Sequence, residues 1–222
     1  MMLMKASYPG RPLPLRAAVF LDKDGTLLAD VPHNVEPTRM RFAPGAANAL
    51  RVLAGTGLPL HVVSNQPGVA FGYFSEAALA DVQRRLAQMF AQCGATLAGF
   101  HCCPHHEDGA VARYARRCGC RKPAPGLLLA AARAHRLHLQ SSWMIGDILD
   151  DVEAGHTAGC RSILVNCGGE TQWRFTPSRI PDAIVPNLEQ AALHVACNVA
   201  NARPRLSLHA DETIMARRGC VT

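Results

Sequence analysis

Asp22 and Asp24 stand two residues apart, directly after the apolar run Val19-Phe20-Leu21 and directly before Gly25-Thr26. Such a run reads as a short buried strand, and side chains along an extended chain alternate in direction. The two carboxylates can therefore share a face just past the strand's carboxyl end, the edge at which open α/β sheets bind ligands. At this spacing they repel, and a divalent cation or a shared proton relieves the repulsion. Three further groups suit the same chemistry. Ser64-Asn65-Gln66-Pro67-Gly68 offers a hydroxyl and backbone amides in a glycine-containing turn, which suits phosphate oxygens. Lys122, held between Cys120-Arg121 and Pro123-Ala124-Pro125-Gly126, offers a cation to a transferring phosphoryl group. Asp147 follows the apolar run Trp143-Met144-Ile145 and Gly146, placed to ligate Mg²⁺, with Asp151 one helical turn further on.

A second constellation is built from softer donors. Cys103-Pro104-His105 is followed, after twelve residues, by Cys118-Gly119-Cys120. Three thiolates and one imidazole make a tetrahedral set suited to Zn²⁺. Four protein ligands leave no position for water, so this zinc is expected to be structural. Its role would be to fold a loop without a core and to hold Arg121 and Lys122 in place. Cys102 and His106 are spare donors beside it. Four of the nine cysteines crowd between Cys102 and Cys120, and the odd total in a long chain argues against a disulfide framework.

The elements that must position these groups alternate along the chain. Ala17 to Leu21, Leu58 to Val63, Leu97 to Cys102, Trp143 to Ile145 and Ser162 to Val165 read as strands. Helices are expected from Pro44 to Leu53, from Ser75 to about Gly94 with Leu79, Val82, Leu86, Met89 and Phe90 facing inward, and from Pro125 to His135. Each candidate site then falls in the loop after a strand. The alternation predicts βαβ units, hence a three-layer α/β/α Rossmann-like parallel sheet with a small zinc-binding loop as an insert. The expected organisation is an N-terminal extension over 1–16, one catalytic domain over 17–200 with the zinc loop at 102–121, and a polar tail over 201–222.

Taken in order, D-x-D-G-T at Asp22, S-N-Q at Ser64, R-K-P at Lys122 and G-D-x-x-x-D at Asp147 resemble the four motifs of the haloacid dehalogenase superfamily. The resemblance covers roughly residues 17–170. It implies a phosphatase in which Asp22 attacks phosphorus, Asp24 serves as general acid and then general base, and Ser64 and Lys122 hold the phosphoryl group. It also implies that Asp147 joins Asp22 and Asp24 around Mg²⁺. The zinc loop joined to C-R-K-P-x-P-G is similar to that of the D-glycero-D-manno-heptose 1,7-bisphosphate 7-phosphatases, as is Ser64 to Phe74 to their T-N-Q-S-G-I-A-R-G-x-F stretch. That likeness implies that Asp30 to His33, Asn65, Gln66 and Arg121 help to recognise a sugar phosphate. Two positions depart from it. Ile148 and Phe71 stand where those enzymes usually carry basic residues. Histidinol-phosphate phosphatases, with a related but shorter loop, are the neighbouring alternative.

Composition narrows the partners. The chain has 222 residues, enough for a full core in one domain. Its formal charge of +6 invites a zinc-containing nucleic-acid-binding module, but the basic residues are scattered and aromatics are only 5%. A small anionic substrate accounts for the same excess. Such a module would also leave Asp22, Asp24 and Asp147 without a purpose, since they repel a phosphate backbone. No apolar run approaches 18 residues, so no membrane partner is expected. A cleaved leader is not expected either, because Asp22 follows so soon. A cytoplasmic enzyme, a monomer or weak oligomer, is the expected form.

Overall fold

A computed structural model describes residues 15–202. Most of the expected extension over 1–16 and nearly all of the tail over 201–222 lie outside them. Six strands, β1 (Val19–Leu21), β2 (Leu60–Asn65), β3 (Leu97–Cys103), β4 (Trp143–Gly146), β5 (Arg161–Val165) and β6 (Ala183–Val185), form one sheet in the order β3-β2-β1-β4-β5-β6. Every pairing in it is parallel. Parallel strands need crossovers, and from β1 to β5 helices supply them: α1 (Ala46–Thr56), α2 (Gly68–Phe71), α3 (Ala78–Gln92), α4 (Gly126–His135) and α5 (Leu149–Ala158). β5 reaches β6 through a single 3-10 turn at Pro177–Arg179, and α6 (Leu188–Ala202) follows β6.

The strands are apolar throughout because both faces are covered. On one face Val19, Leu21, Val62, Ile145 and Ile163 meet Leu50 and Leu53 of α1, Leu86 and Phe90 of α3, and Ala192 and Val195 of α6. On the other, Phe20, Val63 and Met144 meet Leu127, Leu128 and Ala131 of α4 and Ala154 and Ala158 of α5. The three-layer expectation holds. The sequence reading lacked β6 and α6. α6 packs on α1 with Leu188, Ala191, Ala192 and Val195 buried, an i, i+3, i+4, i+7 stripe that alanines make faint.

Central position decides where the chemistry lies. β1 lies between β2 and β4, so the loops after all three open side by side at one edge of the sheet. On the α4 face, further back along the strands, His61 of β2 and His101 of β3 lie beside His135 at the end of α4. Burial, then His101 and His135, pushes His61 down to about 4, so its ring is neutral at pH 7. Among the described residues, no helix is long and apolar enough to cross a membrane.

Candidate active site

Asp22 is the first residue past β1, and its N–H still bonds to the Ile145 carbonyl at 2.9 Å, which fixes its direction. The chain then turns through Gly25 at φ +84°, a left-handed conformation that favours glycine. A Cβ at Gly25 would also run into the Asp147 carboxylate, so the turn and the neighbouring loop can approach only with glycine there. Thr26, the next residue, donates from Oγ1 to Asp147 Oδ1 at 3.0 Å. Leu27 and Leu28 anchor the far side of the loop in the core.

Lys122 reaches the same point from the Cys/His insert. Its backbone is clamped to the end of β2 by a reciprocal pair: Asn65 Nδ2 donates to the Lys122 carbonyl, and the Lys122 N–H donates to Asn65 Oδ1, both at 3.0 Å. The ammonium, 3% exposed, donates to Asp22, to Asp151 Oδ1 at 2.5 Å and to the Val63 carbonyl at 3.3 Å. Burial works against that charge, but Asp151 and Asp22 outweigh it and raise the lysine above its ordinary pKa.

The carboxylates are under the opposite pressure. Asp22, Asp147 and Asp151 each place an oxygen within 4.8 Å of the others, and all three are buried. Burial, then the charge of Asp22, pushes Asp147 up to about 7. Asp151 is pushed up to about 7, again chiefly by burial. Asp22 is raised by burial against the pull of Lys122. Three carboxylates and one ammonium leave about two negative charges uncompensated when all are ionised. Hard oxygen donors with that deficit fit a divalent cation such as Mg²⁺.

Asp24 stands apart from this trio. Lys23 Nζ donates to its Oδ1 at 2.5 Å, and Gln66 Nε2 donates to its Oδ2 at 3.2 Å. Gln66 also donates to Ser64 Oγ at 2.8 Å, so one amide ties the loops after β1 and β2 together. The carboxylate grouped with Asp22 and Asp147 is therefore that of Asp151, not Asp24. The sequence spacing named Asp151 but gave no sign of its pairing with Lys122. Neither the Thr26 contact nor the Gln66 bridge was foreseen.

Two cavities flank the centre. One, about 530 Å³, is lined by Thr26, Asp30, Asp147 and Asn187 among others. The other, about 500 Å³, is lined by Arg116, Arg117, Arg121 and Lys122 among others. Arg121 Nη1 is buried there with no hydrogen-bond partner. Asp30 and Arg121 thus line different cavities. His33 is exposed, its ring edge-on to Tyr73 at 4.9 Å and to Phe71 at 6.1 Å. Ile148 lines a third cavity with Arg174 and Arg179, which meets the cavity of Arg121 at Asp150.

In the insert, Cys103, His105, Cys118 and Cys120 converge. The sulfur–sulfur separations are 3.2, 3.3 and 3.5 Å, and His105 Nδ1 lies 3.4 Å from Cys120 Sγ and 3.6 Å from Cys103 Sγ. Tetrahedral zinc with ordinary bond lengths sets edges of about 3.5–3.8 Å, a slight expansion of this cage.

Comparison with known proteins gives these groups a context. The HAD-hydrolase-like family model matches residues 119–191, from the insert through Asp147 to α6. The D-glycero-beta-D-manno-heptose-1,7-bisphosphate 7-phosphatase of Yersinia pestis is 37% identical over 152 residues, 68% of this chain and 81% of that protein. The enzyme of the same name from Escherichia coli K12 is 37% identical over 152 residues, 68% of this chain and 80% of that protein. Among solved structures, the D,D-heptose 1,7-bisphosphate phosphatase from B. bronchiseptica, complexed with magnesium and phosphate, superimposes with a TM-score of 0.67 at 26% identity, covering 82% of this chain and 99% of that one. With the expected motif loops meeting at one edge of the sheet, the chain belongs to the haloacid dehalogenase-like hydrolases and is a phosphatase.

Proposed function

We propose that this phosphatase removes one phosphate from a heptose 1,7-bisphosphate, the 7-phosphate by analogy with its relatives. The observation that carries the reading is the buried charge deficit around Asp22. An anionic nucleophile meets an anionic phosphoryl group only where positive charge is gathered beforehand. Lys122 supplies one charge, and Mg²⁺ held by Asp22, Asp147 and the segment at Asp24 would supply the rest and polarise the phosphoryl oxygens.

The steps fall to the chain's own residues. An Asp22 oxygen attacks phosphorus, and the bond to the sugar oxygen breaks. Asp24, at the mouth of the site, gives its proton to that leaving oxygen. It then takes a proton from the water that cleaves the aspartyl phosphate, returning Asp22 and releasing phosphate. Ser64 and Lys122 hold the phosphoryl oxygens, with Gln66 orienting Ser64 and Asp24 together. Asp151 acts through Lys122 as a positioning residue. Arg121, whose buried Nη1 lacks a partner, is the donor assigned to a substrate phosphate, with Asn65 setting the backbone beside it and Asp30 and His33 at the sugar's approach.

The same reading assigns the domain to residues 17–200, with the loop at 102–121 carrying Zn²⁺ on Cys103, His105, Cys118 and Cys120. The near-tetrahedral separations of those donors support it. Zinc there would tie the end of β3 to the segment just before Lys122. The test is phosphate release by the purified chain from both anomers of heptose 1,7-bisphosphate, from heptose 1-phosphate and from histidinol phosphate. Preference for a heptose bisphosphate by tenfold or more in kcat/KM is expected. Preference for histidinol phosphate would move the chain to the neighbouring branch.

A further inference from the structure

Three histidines outside the active site converge where the catalytic chemistry needs none. His61 is the second residue of β2, and His101 lies in β3 two residues before Cys103. Both project to the face covered by α4, since Val63 and Cys103, each two residues further on, pack against Leu127, Leu128 and Ala131. His135 is the last residue of α4. One ring nitrogen from each lies within 4.8 Å of the others. His61 is fully buried, whereas His135 is exposed, so the cluster opens to solvent on one side. β3 is an edge strand, which gives the opening its room.

We propose that His61, His101 and His135 form a further metal site, for a borderline divalent transition metal such as Zn²⁺ or Co²⁺.

The first support is the spacing. His61 Nδ1 and His101 Nε2 are 3.2 Å apart. A tetrahedral metal with bonds of 2.0–2.1 Å to nitrogen sets ligand separations of about 3.3 Å. The second is the space beside them. A Cβ on Gly99 would sit 2.7 Å from His61 Nδ1 and 2.7 Å from His101 Nε2. The chain thus leaves a gap at a point equally near the two donor atoms, in a strand where glycine is otherwise costly. The third is the pairing itself: His61 Nδ1 and His101 Nε2 otherwise share one hydrogen bond, and a cation would take the place of its proton.

Neutral imidazoles are the ligands of the later first-row divalent metals, and three of them leave a fourth position for water or an anion. The exposed His135 side is where that position would fall. From His61 to Asn65 is four strand residues, about 13 Å, so the site lies behind the phosphatase centre and not in it. Its effect would be mechanical. A metal there would pin the end of α4 to β2 and β3, and α4 begins four residues after Lys122.

Co²⁺ is the probe, because its visible absorption reports ligand type. The full chain is stripped by chelator, exchanged into metal-free buffer and brought to equilibrium with CoCl₂. Wild type should bind one equivalent more than His135→Gln, and that equivalent should lack the thiolate-to-cobalt charge-transfer band. Cys120→Ser should lose the thiolate band and keep the histidine equivalent, which separates this site from the Cys/His loop. Gly99→Ala, with every ligand present but the gap filled, should lose the equivalent as His135→Gln does. Since His135 is exposed, its variant keeps the fold, and circular dichroism checks this. Equal cobalt uptake by wild type and His135→Gln overturns the proposal.

Discussion

The carboxylate centre and the Cys/His loop each gather ligands in a small volume, but they solve opposite problems. At the centre, Asp22, Asp147 and Asp151 are fully embedded in the sheet edge, over-charged and partly neutralised by Lys122. They are hard donors with places to spare, as a site that must accept and release substrate requires. In the loop, three sulfurs and one nitrogen form a closed set, with Cys103 buried in the core beneath α4 and Cys118 and Cys120 packed against it. Burial drives the Cys103 thiol well above its usual range, whereas Cys118, despite its burial, is lowered by hydrogen bonds from Cys120 and the backbone. The first region is stable because the fold surrounds it and reactive because its charges do not balance. The second is expected to be completed by what it binds.

Substituting the proposed nucleophile separates the two most sharply. Asp22→Asn is expected to lower kcat by at least about a thousandfold with zinc content unchanged, measured by phosphate release and elemental analysis. Turnover within tenfold of wild type would remove Asp22 from its assigned role. Asp151→Asn leaves Lys122 with one carboxylate fewer, and a loss of about 10- to 100-fold in kcat is expected, again with zinc retained. Cys118→Ser should do the reverse. Zinc falls by one equivalent, Tm drops by about 5 °C or more, and KM rises more than kcat falls, because Arg121 and Lys122 lose their tether. Equal losses in kcat and kcat/KM would place the loop in the chemical step instead.

The pH response sharpens the contrast further. Asp147 and Asp151 are raised in the folded protein to about 7, so the fold holds protons that the unfolded chain releases near pH 4. Their contribution to stability is full below pH 4 and is lost as pH rises through 7. Metal-free protein should therefore melt several degrees lower at pH 8 than at pH 5.5, and Mg²⁺ should cancel the difference. A flat Tm without Mg²⁺ would mean that the carboxylates are neutralised by other means. The smallest effect expected is at Ile148. It lines a cavity that meets that of Arg121 only at the Asp150 carboxylate, which would itself offset an added cation, so Ile148→Lys should change the bisphosphate-to-monophosphate ratio of kcat/KM by less than about threefold. A tenfold rise would bring position 148 onto the path of the second phosphate.

What could be read from residue order was whatever is local. The apolar run ending at Asp22, the Cys-x-His and Cys-x-Cys pairs and the turn at Gly68 each carry their meaning within a few residues. Helix α3 was legible because Leu79, Val82, Leu86, Met89 and Phe90 keep helical spacing. β6 was not, since three residues cannot display a period. Partnerships made by strand register were hidden as well. Asp151 meets Lys122 across 29 positions, and His61 meets His101 across 40. Only the order of strands in the sheet brings such residues together, and two histidines so far apart give no motif. Arg121 and Asp30, which the resemblance grouped, line the two cavities on either side of the carboxylate centre.

The strand order also has a consequence for synthesis. The sheet grows from β1 outward, first to β2 and β3 on one side and only later to β4, β5 and β6 on the other. While the ribosome is still making the insert, β1 has one neighbour and a bare second edge. The backbone groups of that edge wait for Trp143 to Ile145, more than a hundred residues later. An exposed strand edge is an invitation to pair with another chain. Among the described strands, the one that presents Asp22 is thus the first to be made and the one that waits longest for its second neighbour. Slow translation between β3 and β4 should be the step at which the nascent protein is most prone to aggregate.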